Sequence, residues 1–487
     1  MRGAIARALA FLGRLPARLR GRPEWRFLGA LPRAHAGLAV AWWALIAVRG
    51  LLPAAFTVAM GLLVGAVQRH QSLTPPLAVV GLSFVAMNAL GPVHGTVSFS
   101  LGARASDWLH DRLVWACTAP TGLAHLERSD LADDLARARE FDLGRAAPTL
   151  GQSLPQIGNI FTTMVTGLAQ SAVLAAYRWW APILLAGTWI STHYLLRSSA
   201  AAKVWNDARV VEGGRHVDYA YRMAVDAPAA KEVRLFGLAA WTVERFAARK
   251  RSQLDLVFHE IRLRQGSVWW ALLVIAAGNG AVFGMLARDA AGHTISLAFL
   301  VVAVQAAVAI SSLGFGELSW WLGSSAQRLP LVLDLPERMA AVAALPSGRR
   351  GAAGRPAREI RFRDVRFAYD GTSRPVLDRF DLVIPAGASL AIVGPNGAGK
   401  TTLAKLLCRF YDPQAGAVLV DGVDLREFDV ESWRARLAAV FQDYVRYELP
   451  LRDNVAPSGA TDEDLLAVLR TAGADGLAGL DTTLSRA

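Results

Sequence analysis

The chain of 487 residues is poor in cysteine, in charged residues and, toward its end, in histidine. Its two cysteines, Cys117 and Cys408, exclude a disulfide framework and a cysteine-based zinc cluster. The nine histidines stand singly, without metal-ligand spacing, and none follows His293. Only 19% of the residues are charged and 53% are hydrophobic, whereas average soluble proteins have about 25% charged residues. The chain is therefore too apolar to be wholly soluble.

The net charge of +12 equals what two basic segments carry. Residues 1–33 carry +7 and residues 197–265 carry +5, whereas residues 360–487 carry −3. A nucleic-acid-binding domain concentrates basic residues on a folded, soluble face. Here the basic segments flank long apolar stretches, which is the pattern of a membrane protein whose basic loops face the cytoplasm. The distribution argues against a nucleic-acid partner and predicts that the chain lies in a lipid bilayer.

Six apolar runs are long enough to cross a hydrocarbon core of about 30 Å. They are Gly37–Val67, Pro76–Leu101, Leu154–Ala176, Trp180–Leu196, Ser267–Ala287 and Ile295–Trp321. Short connections alternate with two long polar ones, 102–153 and 197–266. Because the N-terminus and the long connections are basic, the positive-inside rule predicts a multi-pass protein of the cell (plasma) membrane, with both termini in the cytoplasm.

Composition divides the chain into four parts. We expect a basic N-terminal elbow segment at 1–35, a six-helix transmembrane domain at 36–342, a linker at 343–359 and a soluble domain at 360–487. The linker interrupts the apolar pattern with small residues, two prolines and four arginines.

Nine polar residues interrupt the apolar runs. They are Arg49, Asn88, His94, Gln156, Asn159, Gln170, His193, Asn279 and Gln305. Two interpretations remain open for each of them: the residue lines a polar transport cavity, or it makes a hydrogen bond between helices. Arg49 is the most demanding, because an arginine in the middle of a span needs a polar partner or water.

The soluble part contains a glycine-rich loop between a strand-like run and a helical run. Ile360–Tyr369 alternates as a strand, Val383 and Ile384 are strand-like, and Ser389–Val393 leads directly into the loop. Leu403–Phe410 is typical of a helix. The loop itself matches the P-loop pattern GxxxxGK[ST] in its strand-turn-helix setting. It consists of Gly394, Pro395, Asn396, Gly397, Ala398, Gly399, Lys400, Thr401 and Thr402.

Each residue type in this loop has a chemical reason. Glycines allow successive backbone N–H groups to curl around phosphate oxygens. The following helix directs the positive end of its dipole at the same anion. Lys400 is placed to reach the β- and γ-phosphates of a nucleotide, and the Thr401 hydroxyl is placed to bind Mg²⁺. The pattern thus predicts a site for ATP and Mg²⁺.

Six spans with two long cytoplasmic loops, followed by a P-loop domain, resemble the exporter type of ABC transporter half-subunit over nearly the whole chain. The resemblance implies an all-α polytopic membrane domain followed by an α/β P-loop NTPase domain. Tyr369, in RFAYDG, resembles the aromatic residue that stacks on adenine. Gln442 resembles the Q-loop glutamine that contacts Mg²⁺ and the attacking water. The segments 120–127 and 224–236 resemble the two coupling helices.

The resemblance also implies groups that do not follow Gln442 in this sequence. The family's ATP site uses an Asp-Glu pair after an apolar strand, a Ser-Gly-Gly-Gln type signature and a switch histidine. None of these follows Gln442, and Asp481 has the wrong context. We therefore expect a truncated nucleotide-binding domain without catalytic residues, which binds ATP but does not hydrolyse it. An incomplete sequence, a truncated gene and a true non-hydrolysing subunit remain open.

Two functions are compatible with these features. The first is the ATP-binding subunit of an ABC-type exporter, which couples ATP binding and, in the complete protein, hydrolysis to the export of a small or amphipathic substrate. It implies ATP and Mg²⁺ as cofactors, Thr401 and Gln442 as metal contacts, and a second half-transporter, identical or different, as partner. The alternative is a non-hydrolysing membrane nucleotide sensor or regulatory subunit.

Overall fold

The computed structural model of the chain divides into two units by internal contacts. They are Met1–Pro120 with His125–Ala343, and Thr121–Ala124 with Ala344–Ala487. The described residues are 23–139, 149–197, 208–262, 266–314, 321–322, 329–343, 345–372, 374–442, 444, 447–457, 459–474, 476 and 478–484. Residues 1–22 of the expected elbow segment and the side chain of His193 lie outside what is described.

The described elements of the first unit are helical. The short α4 is included among them, although its first residue, Ala124, belongs to the second unit. The helices are α1 (Pro23–Ala34), α2 (Ala36–Gln68), α3 (Thr74–Thr118), α4 (Ala124–Glu127), α5 (Ser129–Arg139), α6 (Leu150–Ala175), α7 (Ala181–Arg197), α8 (Ala208–Val225), α9 (Ala230–Leu235), α10 (Ala239–Arg262), α11 (Gly266–Ala291), α12 (Leu297–Ala309) and α13 (Leu329–Ala343). Of two 3₁₀ turns, Ala227–Ala229 lies between α8 and α9, and Ile310–Leu313 directly follows α12.

Apolar helices occupy all six positions at which spans are expected. The helices α2, α3 and α6, together with residues 269–291 of α11, are long and apolar enough to cross a membrane. The other two expected spans correspond to shorter apolar stretches, Ala181–Ser191 and Leu297–Leu313. The expected order of an all-α membrane-type domain followed by an α/β domain is confirmed, whereas six full-length spans are not.

Small residues allow α2, α3 and α6 to pack closely. A Cβ at Gly102 of α3 would lie 2.5 Å from the carbonyl oxygen of Leu150. A Cβ at Gly158 of α6 would lie 2.6 Å from the imidazole of His94, so the histidine occupies space that a larger residue would take. Backbones that approach this closely pack well without the hydrophobic effect, which is weak between helices in lipid. This packing brings the polar residues of the three helices together.

The second unit is built on an antiparallel sheet with the strand order β2-β1-β3-β4. Its strands are β1 (Glu359–Phe367), β2 (Leu377–Pro385), β3 (Ala415–Val420) and β4 (Val423–Asp424). Ile360 pairs with Ile384 of β2 and with Val420 of β3. Ile360 and Phe362 of β1 are buried, and after an irregularity at 363–364 that restores the same face, Val365 and Phe367 are buried too. Their buried face forms the core of this unit.

Four short helices complete the described part of the second unit. They are α14 (Lys400–Leu407), α15 (Val430–Arg434), α16 (Leu451–Val455) and α17 (Asp462–Thr471), with a 3₁₀ turn at Leu425–Glu427. Trp433 of α15 is fully buried, and its indole Nε1–H donates to the carbonyl of Leu407 at 2.8 Å. That bond satisfies one of the carbonyls left without a partner at the end of α14.

Of two expectations about the loop's neighbours, the strand is wrong and the helix is present with shifted bounds. Ser389–Val393, expected as a strand, is irregular, and Val393 is 94% exposed. A strand requires a second strand to pair its backbone groups, and none of the described strands pairs with these residues. The helix expected at Leu403–Phe410 instead spans Lys400–Leu407. It begins after the left-handed Gly399 (φ +86°) and ends before the left-handed Arg409 (φ +52°).

Part of the expected linker packs along residues 427–429. The N–H of Gly348 donates to the carbonyl of Phe428 at 3.1 Å, and the N–H of Arg350 donates to Glu427 at the same distance. A Cβ at Gly348 would lie 1.9 Å from the Glu427 oxygen, so this approach requires glycine. Residues 345–358 are thus attached to the α/β unit through their backbone.

A carboxylate in the turn after β3 holds the other end of this segment. Asp421 accepts hydrogen bonds from the N–H groups of Ala357, Arg358 and Glu359 at 2.9, 2.7 and 3.2 Å. The Arg355 guanidinium adds an ion pair at 3.1 Å. The backbone donors, that of Ala357 most of all, lower the pKa of Asp421 to about 2. No motif in the sequence identifies this aspartate.

Candidate functional site

Two glycines give the glycine-rich loop its shape. Gly397 and Gly399 have φ angles of +82° and +86°, a region that L-residues avoid because their Cβ is crowded there. A Cβ on Gly399 would also lie 3.2 Å from Leu377 Cδ2 and 3.3 Å from Val376 Cγ1. A Cβ on Gly397 would meet no heavy atom within 4 Å. Conformation therefore requires glycine at both positions, and packing restricts Gly399 further.

The loop and the first turn of α14 present a group of backbone N–H donors that make no hydrogen bond within the described part of the chain. These donors belong to Gly397, Gly399, Lys400, Thr401 and Thr402. The first N–H groups of a helix have no intrahelical acceptor and usually require a capping side chain. Gly399, the residue at the cap position, has none. The donors and the helix dipole together make this end of α14 suitable for an anion.

Lys400 places a full positive charge beside these donors. Its Nζ donates to the carbonyl oxygens of Gly394 and Pro395 at 2.7 and 2.8 Å. An ammonium group has three donors, so one remains for a ligand oxygen. Lys400 is half-buried, whereas residues 394–398 and Thr401 are exposed. The charge therefore lies at an accessible surface.

Tyr369 lies beside α14, close to the loop. Its hydroxyl is 3.1 Å from the Oγ1 of the buried Thr402. Its ring makes edge contacts with Phe367 and Tyr411, with centroids 5.0 and 5.6 Å away. The Nζ of Lys405 is 5.4 Å from the ring centroid, a cation–π contact. The structure thus brings the tyrosine predicted to contact adenine to the P-loop helix.

Gln442 is the second predicted metal contact. It is exposed in a turn and makes no hydrogen bond to a loop residue in the part of the chain that the structure describes. The apolar run before it, 437–441, is irregular, and the ring of Phe441 lies 6.1 Å from that of Phe410. A Mg²⁺ contact of Gln442 remains a prediction.

The loop fits a nucleotide phosphate chain by its donor set. Uncapped N–H groups, an ammonium group and glycines with left-handed φ angles are the features that phosphate cradles require. The exposed Thr401 hydroxyl offers the type of oxygen ligand that Mg²⁺ takes alongside phosphate oxygens. Among the described residues, no group of three or more His, Cys, Asp and Glu side chains is arranged to hold a metal.

Two arginines that sequence reasoning missed organise the chain after α14. Arg409 is fully buried, donates from Nη1 to the carbonyl of Phe428 at 3.0 Å and pairs with Asp412 at 3.2 Å. Arg434 donates to the carbonyls of Cys408 and Arg409 at 3.0 and 2.7 Å. An arginine after an amphipathic helix usually suggests an exposed position, so only the fold reveals these contacts.

A short piece of the first long connection belongs to the second unit. Arg434 Nη2 also donates to the carbonyl of Thr121 at 2.7 Å, and the N–H of Leu123 donates to the carbonyl of Phe410 at 3.2 Å. These residues fall in the expected coupling segment 120–127, which contains the four-residue α4. The second expected coupling segment, 224–236, contains the 3₁₀ turn at 227–229 and α9.

Comparisons with known proteins match this site to one family. Residues 377–485 match the family described as ABC transporter. The chain is 32% identical over 235 residues to the ATP-dependent lipid A-core flippase of Xylella fastidiosa, an alignment that covers 46% of this chain and 38% of the flippase.

Two further relatives align over shorter stretches. The β-(1→2)glucan export ATP-binding/permease protein NdvA of Bartonella bacilliformis is 43% identical over 117 residues, which are 24% of this chain and 20% of NdvA. The mitochondrial iron-sulfur clusters transporter ATM1 of Candida glabrata is 43% identical over 113 residues, 23% of this chain and 15% of ATM1. The matched part of the chain spans less than two fifths of the length of these three relatives.

Proposed function

Because the chain belongs to the ABC transporter family and joins membrane-length apolar helices to an ABC nucleotide-binding domain, as exporter half-transporters do, we propose that it is the ATP-binding subunit of an exporter. Residues 394–402 bind the phosphates of ATP, and Lys400 contacts the β- and γ-phosphates. Tyr369 stacks on adenine. Thr401 and Gln442 contact Mg²⁺, which neutralises phosphate charge when it is bound.

The observation that supports this proposal most is the uncapped start of α14. Five backbone N–H groups without partners in the described residues lie within six consecutive residues that include Lys400, whose ammonium has a donor to spare. Orphan donors of this kind are costly when they are unsatisfied, so an anion that takes their hydrogen bonds binds favourably. A glycine turn with a purely structural role needs neither the lysine nor the open N-terminus.

Two such chains, or this chain and a different half-transporter, are proposed to act together in the membrane. We expect a protein of the cell (plasma) membrane with both termini in the cytoplasm. Residues 36–342 form its transmembrane domain, and residues 360–487 form its nucleotide-binding domain. Thr121–Ala124 supports coupling between nucleotide and transport, because this segment is hydrogen-bonded beside the end of the P-loop helix while its flanking residues belong to the helical unit. Nucleotide binding then shifts the population of transport states.

The proposed substrate is small or amphipathic. The relative with the most extensive of the three alignments is named for moving lipid A-core, and that alignment is longer than the region 377–485 that matches the family. The spans contain few polar residues, which suits a substrate with a large apolar part.

We further propose that these 487 residues bind MgATP without turning it over by themselves. Family ATPase activity needs a carboxylate base and a signature, and the residues after Gln442 contain neither an Asp-Glu pair nor a Ser-Gly-Gly-Gln type motif. A phosphate-release assay on the purified chain tests this directly. Steady Mg²⁺-dependent turnover that Lys400→Ala abolishes would contradict it.

Binding of nucleotide to the whole chain in lipid nanodiscs tests the core of the proposal. We expect saturable MgATP binding that ADP competes for and AMP does not, because AMP lacks the β- and γ-phosphates that the proposal assigns to Lys400. At 100 times the Kd, MgATP should stabilise the fold by about 2.7 kcal/mol. Absence of both binding and stabilisation would contradict a nucleotide site.

Vesicle transport separates an exporter from a nucleotide sensor. Inside-out vesicles that hold the chain with its half-transporter partner should accumulate a fluorescent amphiphile when MgATP is added. MgATP binding without ATP-dependent accumulation would instead support the sensor.

A further inference from the structure

A guanidinium group lies deep among the apolar helices of the first unit. Arg49 is about 20 Å from the start of α2 and about 28 Å from its end, at ~1.5 Å per residue. Its side chain is only partly buried. An ionised residue at this depth is costly in a membrane protein, and such residues mark substrate or ion pathways when they face the interior of a helical bundle.

Two neutral side chains from neighbouring helices hold this guanidinium. Arg49 Nη1 lies 2.8 Å from His94 Nδ1 of α3 and donates to Asn159 Oδ1 of α6 at 3.1 Å. A guanidinium can only donate, so His94 Nδ1 is the acceptor and its imidazole is neutral. The Oγ of Ser98 lies 3.4 Å from His94 Nε2 and accepts from the Nε1–H of Trp42 at 3.0 Å. The orientation of the imidazole is thus set from both sides.

No carboxylate neutralises Arg49 in the described part of the spans. The acids in the six apolar helices are Asp107, Asp111 and Asp289. Asp107 and Asp111 lie 13 and 17 residues beyond His94, about 20 and 26 Å along α3. Asp289 is bound by Tyr177 at 2.6 Å and by Arg178 at 3.0 Å.

The remaining donors of Arg49 are available to a ligand. Within the described residues, Nε and Nη2 make no hydrogen bond. Neither Nε nor Nη2 is among the fully buried polar atoms of the described residues that lack a hydrogen bond, so both atoms keep some accessible surface. Gly91 of α3 adds no side chain beside Nη2: a Cβ built on it would be 3.9 Å from that atom. Planar guanidinium donors match the two oxygens of a carboxylate or phosphate.

We propose that Arg49, positioned by His94 and Asn159, is a binding subsite for the anionic headgroup, phosphate or carboxylate, of an amphipathic substrate. The inference deepens the proposed export function and rests on it for the role of the subsite in transport. The three residues lie about 24–30 Å from the ends of their helices at the short connections, and a hydrocarbon core is about 30 Å thick. The subsite therefore lies toward the side of the long connections, where a headgroup would enter with its chain in the apolar bundle.

Direct binding without nucleotide tests the subsite. Radiolabelled monododecyl phosphate is titrated into the full chain in phosphatidylcholine nanodiscs, with empty nanodiscs as blank and dodecyl glucoside as the uncharged comparison. We expect Arg49→Gln to weaken monododecyl phosphate binding about 10- to 100-fold, as for loss of a charge-assisted hydrogen bond. Arg49→Lys keeps the positive charge but loses the planar pair of guanidinium donors, so its affinity for monododecyl phosphate should lie between those of the wild type and Arg49→Gln. Arg178→Gln, an arginine already paired with Asp289, is the matched control and should bind like the wild type.

The outcomes separate the sources of the anion and the competing explanations. Competition by millimolar inorganic phosphate identifies a site for free anions, and resistance to it identifies a lipid headgroup. If Arg49→Gln and Arg49→Lys both bind monododecyl phosphate as the wild type does, the proposed subsite is overturned. Glu317, an acid of the expected sixth span, lies outside the described residues. If Glu317→Gln binds monododecyl phosphate at least 10-fold more tightly than the wild type, an ion pair between Glu317 and Arg49 occupies the guanidinium. This result too would overturn the proposal.

Nucleotide binding is measured on the same variants. Arg49→Gln should bind MgATP as the wild type does. If no variant binds MgATP while monododecyl phosphate binding still depends on Arg49, the export function fails and the subsite stands.

Discussion

Replacing Lys400 by alanine removes the charge at the start of the P-loop helix while the backbone N–H donors stay in place. In the structure, the ammonium bridges the carbonyls of Gly394 and Pro395 and has one further donor to offer. The variant therefore loses a phosphate contact and a link within the loop. We expect weaker binding of ATP and ADP and, as in the wild type, no competition by AMP, because a lysine at this position reaches the β- and γ-phosphates.

The size of the effect follows from how many hydrogen bonds the ammonium changes. A hydrogen bond to a charged group contributes about 1.5–3 kcal/mol, and ~1.4 kcal/mol corresponds to a tenfold change in Kd. If Lys400 keeps both carbonyls and adds a phosphate oxygen, the full amount is lost on mutation. If it exchanges a carbonyl for the phosphate, the loss is smaller. We therefore expect Kd for ATP to rise about 10- to 100-fold.

Titration of a fluorescent ATP analogue against the purified chain at one ionic strength measures this change, with ADP and AMP as competitors. Arg470→Ala is the matched control, since Arg470 is an exposed residue of α17 and its removal changes the net charge equally. The melting temperature of each variant is measured in parallel. If Lys400→Ala binds ATP within threefold of the wild type, or if Arg470→Ala weakens binding as much, the assignment of Lys400 to the phosphates is refuted.

Three further predictions concern the stability of the α/β unit. Gly397→Ala and Gly399→Ala should each lower the free energy of unfolding by about 1–2 kcal/mol, because alanine is strained in the left-handed backbone, and the loss should be larger at Gly399, where the Cβ also meets neighbours at 3.2 and 3.3 Å. Equal melting temperatures of the two variants would contradict the packing argument. Trp433→Ala should cost about 3–5 kcal/mol in urea unfolding, because it empties a fully buried site, and a loss below ~1 kcal/mol would show that the site is not close-packed. The Asp421 pKa of about 2, below its usual 3.8, means that its stabilisation is complete above pH 4 and is lost as the pH falls toward 2; urea unfolding of Asp421→Asn should lack this loss, and identical pH profiles would exclude Asp421 as its source.

Local features of this protein were predictable because their chemistry depends on neighbours in the chain. The P-loop needs a fixed order of glycine, lysine and threonine within nine consecutive residues. The apolar helices follow from runs of hydrophobic residues at a length set by the bilayer. Helices satisfy their own backbone hydrogen bonds, so a run of suitable residues is sufficient to place them.

Features that need a partner could not be predicted in this way. Ser389–Val393 has the composition of a strand, but a strand exists only where another strand pairs with it, and none described does so. Asp421 and Arg409 look like ordinary turn and helix-end residues, although one gathers three backbone donors and the other is fully buried. Their roles arise from chain segments that the fold brings to them.

Arg49 shows where sequence stops and tertiary structure begins. The sequence alone determined that this arginine lies within an apolar span and must find a polar partner or water. Only the fold decided that the partners are His94 and Asn159, which are 45 and 110 residues away along the chain. The physical reason is distance: periodicity specifies which residues share a helix face, whereas contacts between helices depend on close approach at small residues such as Gly158.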